Sequence, residues 1–148
     1  MPLDEDVRHL ATGTNFAALT TLLADGTLQT HVMWVDADDD HVLVNTEVHR
    51  AKYRNLRRDP RATVTIWERD DPYRFAEVRG RAVEFVTGPA ARAHIDACSQ
   101  RYFGRPYPAP ITSERVIVRI EPQRIVRVGL DRPRSEGRSD LPAVNHQG

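Results

Sequence analysis

A chain of 148 residues can bury one hydrophobic core but not two. Its 40% hydrophobic and 28% charged content is that of ordinary folded domains, which excludes wholesale disorder, and no apolar run is long enough to cross a bilayer. The 21 basic and 21 acidic side chains cancel, so net charge points to no partner. The acidic opening over residues 1–6 lacks the basic and apolar regions of a secretory signal. The single cysteine, Cys98, can form no internal disulfide, and a cytoplasmic protein is expected.

Along the chain, Leu3, Val7, Leu10 and Ala11 recur at helical spacing and Gly13 ends the run. Residues 16–23 and 27–35 are β-rich and flank Ala24-Asp25-Gly26, a hairpin signal. An acidic turn over 36–40 leads to a strand over 41–46, so the first third reads as a helix and a three-stranded meander. Residues 50–59 favour helix, with Leu56 facing inward and Pro60 as the stop. Over 62–68, Val64 and Ile66 alternate with Thr63 and Thr65, as in a strand. After a turn over 69–73, residues 75–86 form a long strand in which Gly80 marks a bulge or a close backbone approach. Gly88-Pro89 opens a helix that runs to about Phe103. A loop with Pro106, Pro108 and Pro110 precedes a strand over 115–120, which Pro122 interrupts and 124–128 resume.

Six or seven strands, three short helices and no βαβ rhythm imply a mainly β fold: an antiparallel barrel with flanking helices over residues 1–130. Residues 131–148 offer little to bury and are expected to form a disordered tail.

The stretch with chemical content is 45–61. A strand ends in Asn45 and Thr46, a short loop follows, and a helix opens with Arg50, Lys52, Arg54, Arg57, Arg58 and Arg61 against the single acid Asp59. Free N–H groups at a helix start favour an anion, arginine adds forked donors and lysine a point charge. Arg50 with Arg54, or Arg54 with Arg57, share a helical face, whereas Arg58 leans elsewhere. The competing reading is a solvated basic helix. Nucleic acid is not expected, because the chain lacks the repeated interleaved aromatics of a single-strand reader and any recognisable reading module.

The run Arg50-Ala51-Lys52-Tyr53-Arg54-Asn55-Leu56-Arg57-Arg58-Asp59-Pro60-Arg61-Ala62 resembles the signature of the pyridoxamine-phosphate-oxidase-like split-barrel superfamily. Within it the resemblance is to the actinobacterial flavin/deazaflavin oxidoreductases that use coenzyme F420. Residues 16–22, 29–35 and 115–126 extend the similarity, which covers about residues 3–130. It implies a homodimer with a cofactor in each cleft between subunits. Lys52 matches the phosphate-binding lysine, assisted by Arg50 or Asn55, and Asn45 and Thr46 match positions near the phosphate and ribityl chain. Val32, Met33 and Trp34 match the strand lining the ring system, and Thr65, Ile66 and Trp67 a second strand beside it.

Ala51 stands where a true pyridoxamine-phosphate oxidase has a basic residue, which argues for the deazaflavin branch. Arg54 and Arg57 add cationic capacity suited to the longer anionic tail of F420. The implied reaction is hydride transfer from reduced F420 to a conjugated small molecule such as a quinone, tetrapyrrole or polyketide-like compound. FMN in the same fold, with oxidase or flavin reductase activity, is the alternative, and a non-catalytic flavin-binding or storage protein is a third.

Other residues read more plainly. Trp34 and Trp67 serve equally as core or as cofactor walls. His31, His41 and His49 have no metal-ligand spacing, and no metal is expected. Cys98 is read as a buried, inert thiol. The acidic turn lacks the glycine and terminal glutamate of a calcium loop. Tyr102, Tyr107 and the neighbouring prolines read as a connector.

Overall fold

The computed structural model describes residues 1–131; the expected C-terminal tail lies outside the described residues, apart from Asp131. The elements are α1 (Glu5–Thr12), β1 (Phe16–Leu22), β2 (Leu28–Met33), β3 (Asp36–Ala37), β4 (Val42–Glu47), α2 (Ala51–Arg58), β5 (Arg61–Glu68), β6 (Asp71–Thr87), α3 (Pro89–Phe103) and β7 (Arg115–Val128). The strands form a curled, seven-stranded sheet in the order β2-β1-β5-β6-β7-β4-β3, every neighbour antiparallel. This is the mainly β split barrel with flanking helices. No helix among the described residues is long and apolar enough to cross a membrane.

Alternation builds the core. Ala17 and Leu19 on β1 and Ala62, Val64 and Ile66 on β5 point inward, while Ala18, Thr20, Thr63 and Thr65 take the other face. Leu3, Val7, Leu10 and Ala11 of the first helical segment, and Leu56 of α2, complete the same cluster. Asp4 caps α1 by accepting from the backbone N–H groups of Asp6 at 3.0 Å and Val7 at 3.2 Å.

The meander expected in the first third does not form. β1 and β2 pair as a hairpin, but β4 crosses to the opposite side of the sheet and pairs with β7. The reason is burial. β4 is buried at Val42, Leu43, Val44, Thr46 and Glu47, so it needs cover on both faces. β7 supplies a matching run in Val116, Ile117, Val118 and Ile120, and α3 covers Leu43 and Ile117 with Ala91.

β6 and β7 are longer than expected, 17 and 14 residues, and β7 continues through Pro122. The register shifts between Arg79 and Gly80, with Gly80 opposite Pro122, so the bulge absorbs the missing proline N–H. A Cβ on Gly80 would lie 2.3 Å from the Glu121 carbonyl oxygen. This is the close backbone approach that the sequence suggested. α3 spans the range expected from Gly88-Pro89, and Gly104, with φ +72°, closes it by donating its N–H to Gln100 O at 2.9 Å.

Candidate functional site

The crossing from β2 to β4, the start of α2, one face of α3 and the head of β7 enclose a cleft of about 320 Å³. Val32, Met33, Trp34, Asn45, Thr46, Arg50 and Lys52 line it, so the structure brings together seven of the residues picked from sequence.

Arg50, Lys52 and Arg115 form its cationic part. Burial lowers the Lys52 pKa, and the neighbouring charges of Arg50 and Arg115 lower it further. No carboxylate pairs with Lys52 among the described residues. Arg115 is only 7% exposed and is placed by its surroundings. Its Nε donates to Asn45 Oδ1 at 2.8 Å, its Nη1 lies 3.7 Å from Glu47 Oε2, and its guanidinium sits 5.2 Å from the Tyr107 ring centre. Glu47 is itself buried and accepts from the N–H groups of Thr112 and Ser113, both at 2.9 Å, which anchors the loop before β7. A half-buried ammonium beside two guanidinium groups makes a concentrated cationic donor set. The donor set fits a phosphate.

Trp34 forms the aromatic wall. It stacks on Tyr102 at 5.0 Å and 6°, and meets Phe103 and Tyr107 edge-on at 5.1 and 6.1 Å. Tyr102 is tied in turn: its hydroxyl accepts from Val35 N at 3.3 Å and donates to Asn15 O. Tyr107 N donates to Asp96 Oδ1 at 3.0 Å. The loop read as a connector therefore supplies a cleft wall through Tyr107.

Five expected residues lie elsewhere in this chain. Ile66 is fully buried in the core because strand alternation turns it inward. Thr65 and Trp67 take the other face of β5, half-buried, outside the residues lining the cleft. Asn55 is 2% exposed and donates to Thr21 Oγ1 at 3.1 Å and Gln29 Oε1 at 3.3 Å, tying α2 to the β1–β2 hairpin. Arg57 covers the Phe85 ring at 5.0 Å instead of extending the cationic part of the cleft. Arg54 likewise turns back, donating to His49 O.

The cleft also holds residues that sequence reading missed, chiefly Arg115, Asp36, His94 and Cys98. The only signal for the last two was their spacing of four, which places them on one helix face. Asp36 Oδ2, His94 Nε2 and Cys98 Sγ all lie within 4.8 Å of one another. Burial works against the charge on Asp36, but His94, the Ala37 N–H and Arg101 outweigh it and lower its pKa. The other ring nitrogen of His94, Nδ1, faces Asn45 Nδ2 at 2.9 Å.

The Pyridoxamine 5'-phosphate oxidase family model matches residues 3–129. A solved F420 reductase shares 28% identity and a TM-score of 0.71, over 84% of this chain and 98% of that one. A conserved hypothetical protein from Mycobacterium tuberculosis shares 24% identity and a TM-score of 0.67, over 99% and 93%. A pyridoxamine 5'-phosphate oxidase-related, FMN binding protein from Nostoc punctiforme has the same fold at 13% identity and a TM-score of 0.57, over 76% and 72%. The split barrel and the family match over nearly all the described residues agree: this chain belongs to the pyridoxamine 5'-phosphate oxidase family.

Proposed function

We propose that this protein is an oxidoreductase that passes a hydride from reduced coenzyme F420 to a conjugated small-molecule acceptor. One observation carries the reading: Lys52, half-buried and without a counter-ion among the described residues, sits with Arg50 and Arg115 in an aromatic-walled cleft. The similarity to an F420 reductase supports the choice of cofactor. When bound, the deazaflavin supplies the hydride. The chain's own residues do the rest. Lys52, Arg50 and Arg115 hold the phosphate, while Val32, Met33 and Trp34 offer an apolar wall that seats a planar ring and keeps water from it.

The same reading makes the protein a homodimer. β2 is an edge strand whose Leu28 and Val32 are 69% and 65% exposed, an apolar border that a second copy would cover. Light scattering is expected to give about twice the 16.8 kDa chain mass. A monomer that still binds the cofactor tightly would refute this.

FMN is the second reading, and a specific observation favours it. Arg54 and Arg57, the surplus charges suited to the F420 tail, are engaged with His49 O and Phe85. Anaerobic fluorescence titrations with both cofactors, at low and high salt, separate the two. Tighter binding of F420, narrowing as salt rises, is the expected result. Preference for FMN at both salts overturns it. Binding of either without turnover of any quinone acceptor would indicate a flavin-binding or storage protein.

A further inference from the structure

A chain of hydrogen bonds runs through the wall of the cleft. Arg115 Nε donates to Asn45 Oδ1 at 2.8 Å. Asn45 Nδ2 donates to Ala91 O at 3.0 Å and lies 2.9 Å from His94 Nδ1. His94 Nε2 is 2.9 Å from Asp36 Oδ2, with Cys98 Sγ at 3.6 Å. Arg101 Nη1 donates to the other Asp36 oxygen at 3.2 Å.

The direction of every link follows from one amide. Turning Asn45 over would set its NH2 against the Arg115 donor and its oxygen against the Ala91 carbonyl. Asn45 Nδ2 is therefore the donor toward His94, and Nδ1 must offer a lone pair. The ring proton then sits on Nε2 and goes to Asp36. This also removes the lone pair that a metal ion would need from that nitrogen. A second proton, on Nδ1, would meet the Asn45 N–H head on.

We propose that His94 is a positioning residue for anion capture: unprotonated at Nδ1 it holds Asn45, which holds the Arg115 guanidinium in place, and taking up a second proton releases that hold and weakens binding. This rests on the reading of Arg50, Lys52 and Arg115 as a phosphate site. The groups facing His94 are Asp36 from β3, with Arg101 behind it, Cys98 on its own helix, and Asn45 from β4, with Arg115 of β7 beyond. Lys52 of α2 lines the same cleft. Burial opposes the second proton, and Asp36 and Cys98 favour it strongly enough to raise the ring's pKa. Asn45 opposes it from the other side.

The test uses the full chain, with FMN and inorganic pyrophosphate as probes, across about pH 6–10.5, a range that brackets a histidine raised to about 9. Nitrogen NMR of His94 is expected to show the proton on Nε2 at high pH. Its titration midpoint is expected to coincide with a drop in FMN affinity. His94→Asn keeps an acceptor near the Nδ1 position, so it should bind within about threefold of the native protein at high pH and lack that drop. His94→Gln keeps a donor toward Asp36 but loses Asn45, and should bind roughly tenfold more weakly at every pH. The titration of the phosphate itself is common to all variants and cancels in the comparison.

A proton on Nδ1 at high pH, equal losses in the two variants, or a drop that persists in His94→Asn would each overturn the proposal. If the native protein binds neither FMN nor pyrophosphate at any pH, the phosphate reading fails and the proposal with it. Tautomer and midpoint by NMR stand apart from that outcome.

Discussion

Replacing Lys52 with alanine is expected to weaken binding of a phosphate-bearing cofactor about ten- to a hundredfold, with little change in folding. A hydrogen bond to a charged group contributes roughly 1.5–3 kcal/mol, and about 1.4 kcal/mol is a factor of ten. The local geometry favours the upper part of that range. Lys52 is partly desolvated and pressed by Arg50 and Arg115, so an anion relieves a repulsion as well as making a contact. For the same reason the free protein loses little when the ammonium is removed. Arg58→Ala is the control. Its Nη1 donates to Leu22 O at 3.3 Å, away from the cleft, and affinity should hold within about twofold. Isothermal titration of both variants decides it: equal losses would mean that the α2 charges act as a diffuse basic surface and not as a site.

Gly80→Ala is expected to destabilise the fold strongly. The new Cβ would sit 2.3 Å from a backbone oxygen, that of Glu121, and 3.2 Å from Cγ2 of Ile120. Neither neighbour yields easily. Ile120 is fully buried, and Glu121 lies in the ladder opposite Arg81, next to the bulge. Overpacking a close-packed interior costs roughly 1–3 kcal/mol where side chains can adjust, and more where backbone must move. A loss of about 3 kcal/mol or more in urea unfolding is therefore expected, or failure to accumulate folded protein. A loss under about 1 kcal/mol would show that the β6–β7 bulge opens without strain.

The two substitutions act on different parts of the molecule. Gly80 sets how tightly β6 and β7 approach, and β7 carries Arg115 into the cleft wall. Lys52 acts on the ligand alone. A Gly80 variant that folds should bind anions more weakly through Arg115, whereas a Lys52 variant should leave the unfolding midpoint unchanged.

Much of the local structure was legible in the sequence because it depends on neighbours in the chain. Period-two alternation over 62–68 located β5, Gly88-Pro89 marked the start of α3, and Gly80 marked the bulge. The basic run, together with the family resemblance it carried, pointed to seven residues that line the cleft, Lys52 among them. The rest needed the fold. Whether β4 pairs with β2 or with β7 depends on which surface can cover a strand buried on both faces, and that surface lies about seventy residues further on. A count of arginines gives charge but not direction: Arg57 turned to Phe85 and Arg54 to the His49 carbonyl, while Arg115, one of several arginines in its strand, entered the cleft. His94 and Asp36, 58 residues apart, hydrogen-bond only because the curled sheet brings β3 against α3. The sequence by itself determined most of the strands and helices, though not β3 within the acidic turn, and marked the basic run that opens α2. Tertiary structure alone decided which side chains share the cleft, since that follows from long-range burial, which no local periodicity encodes.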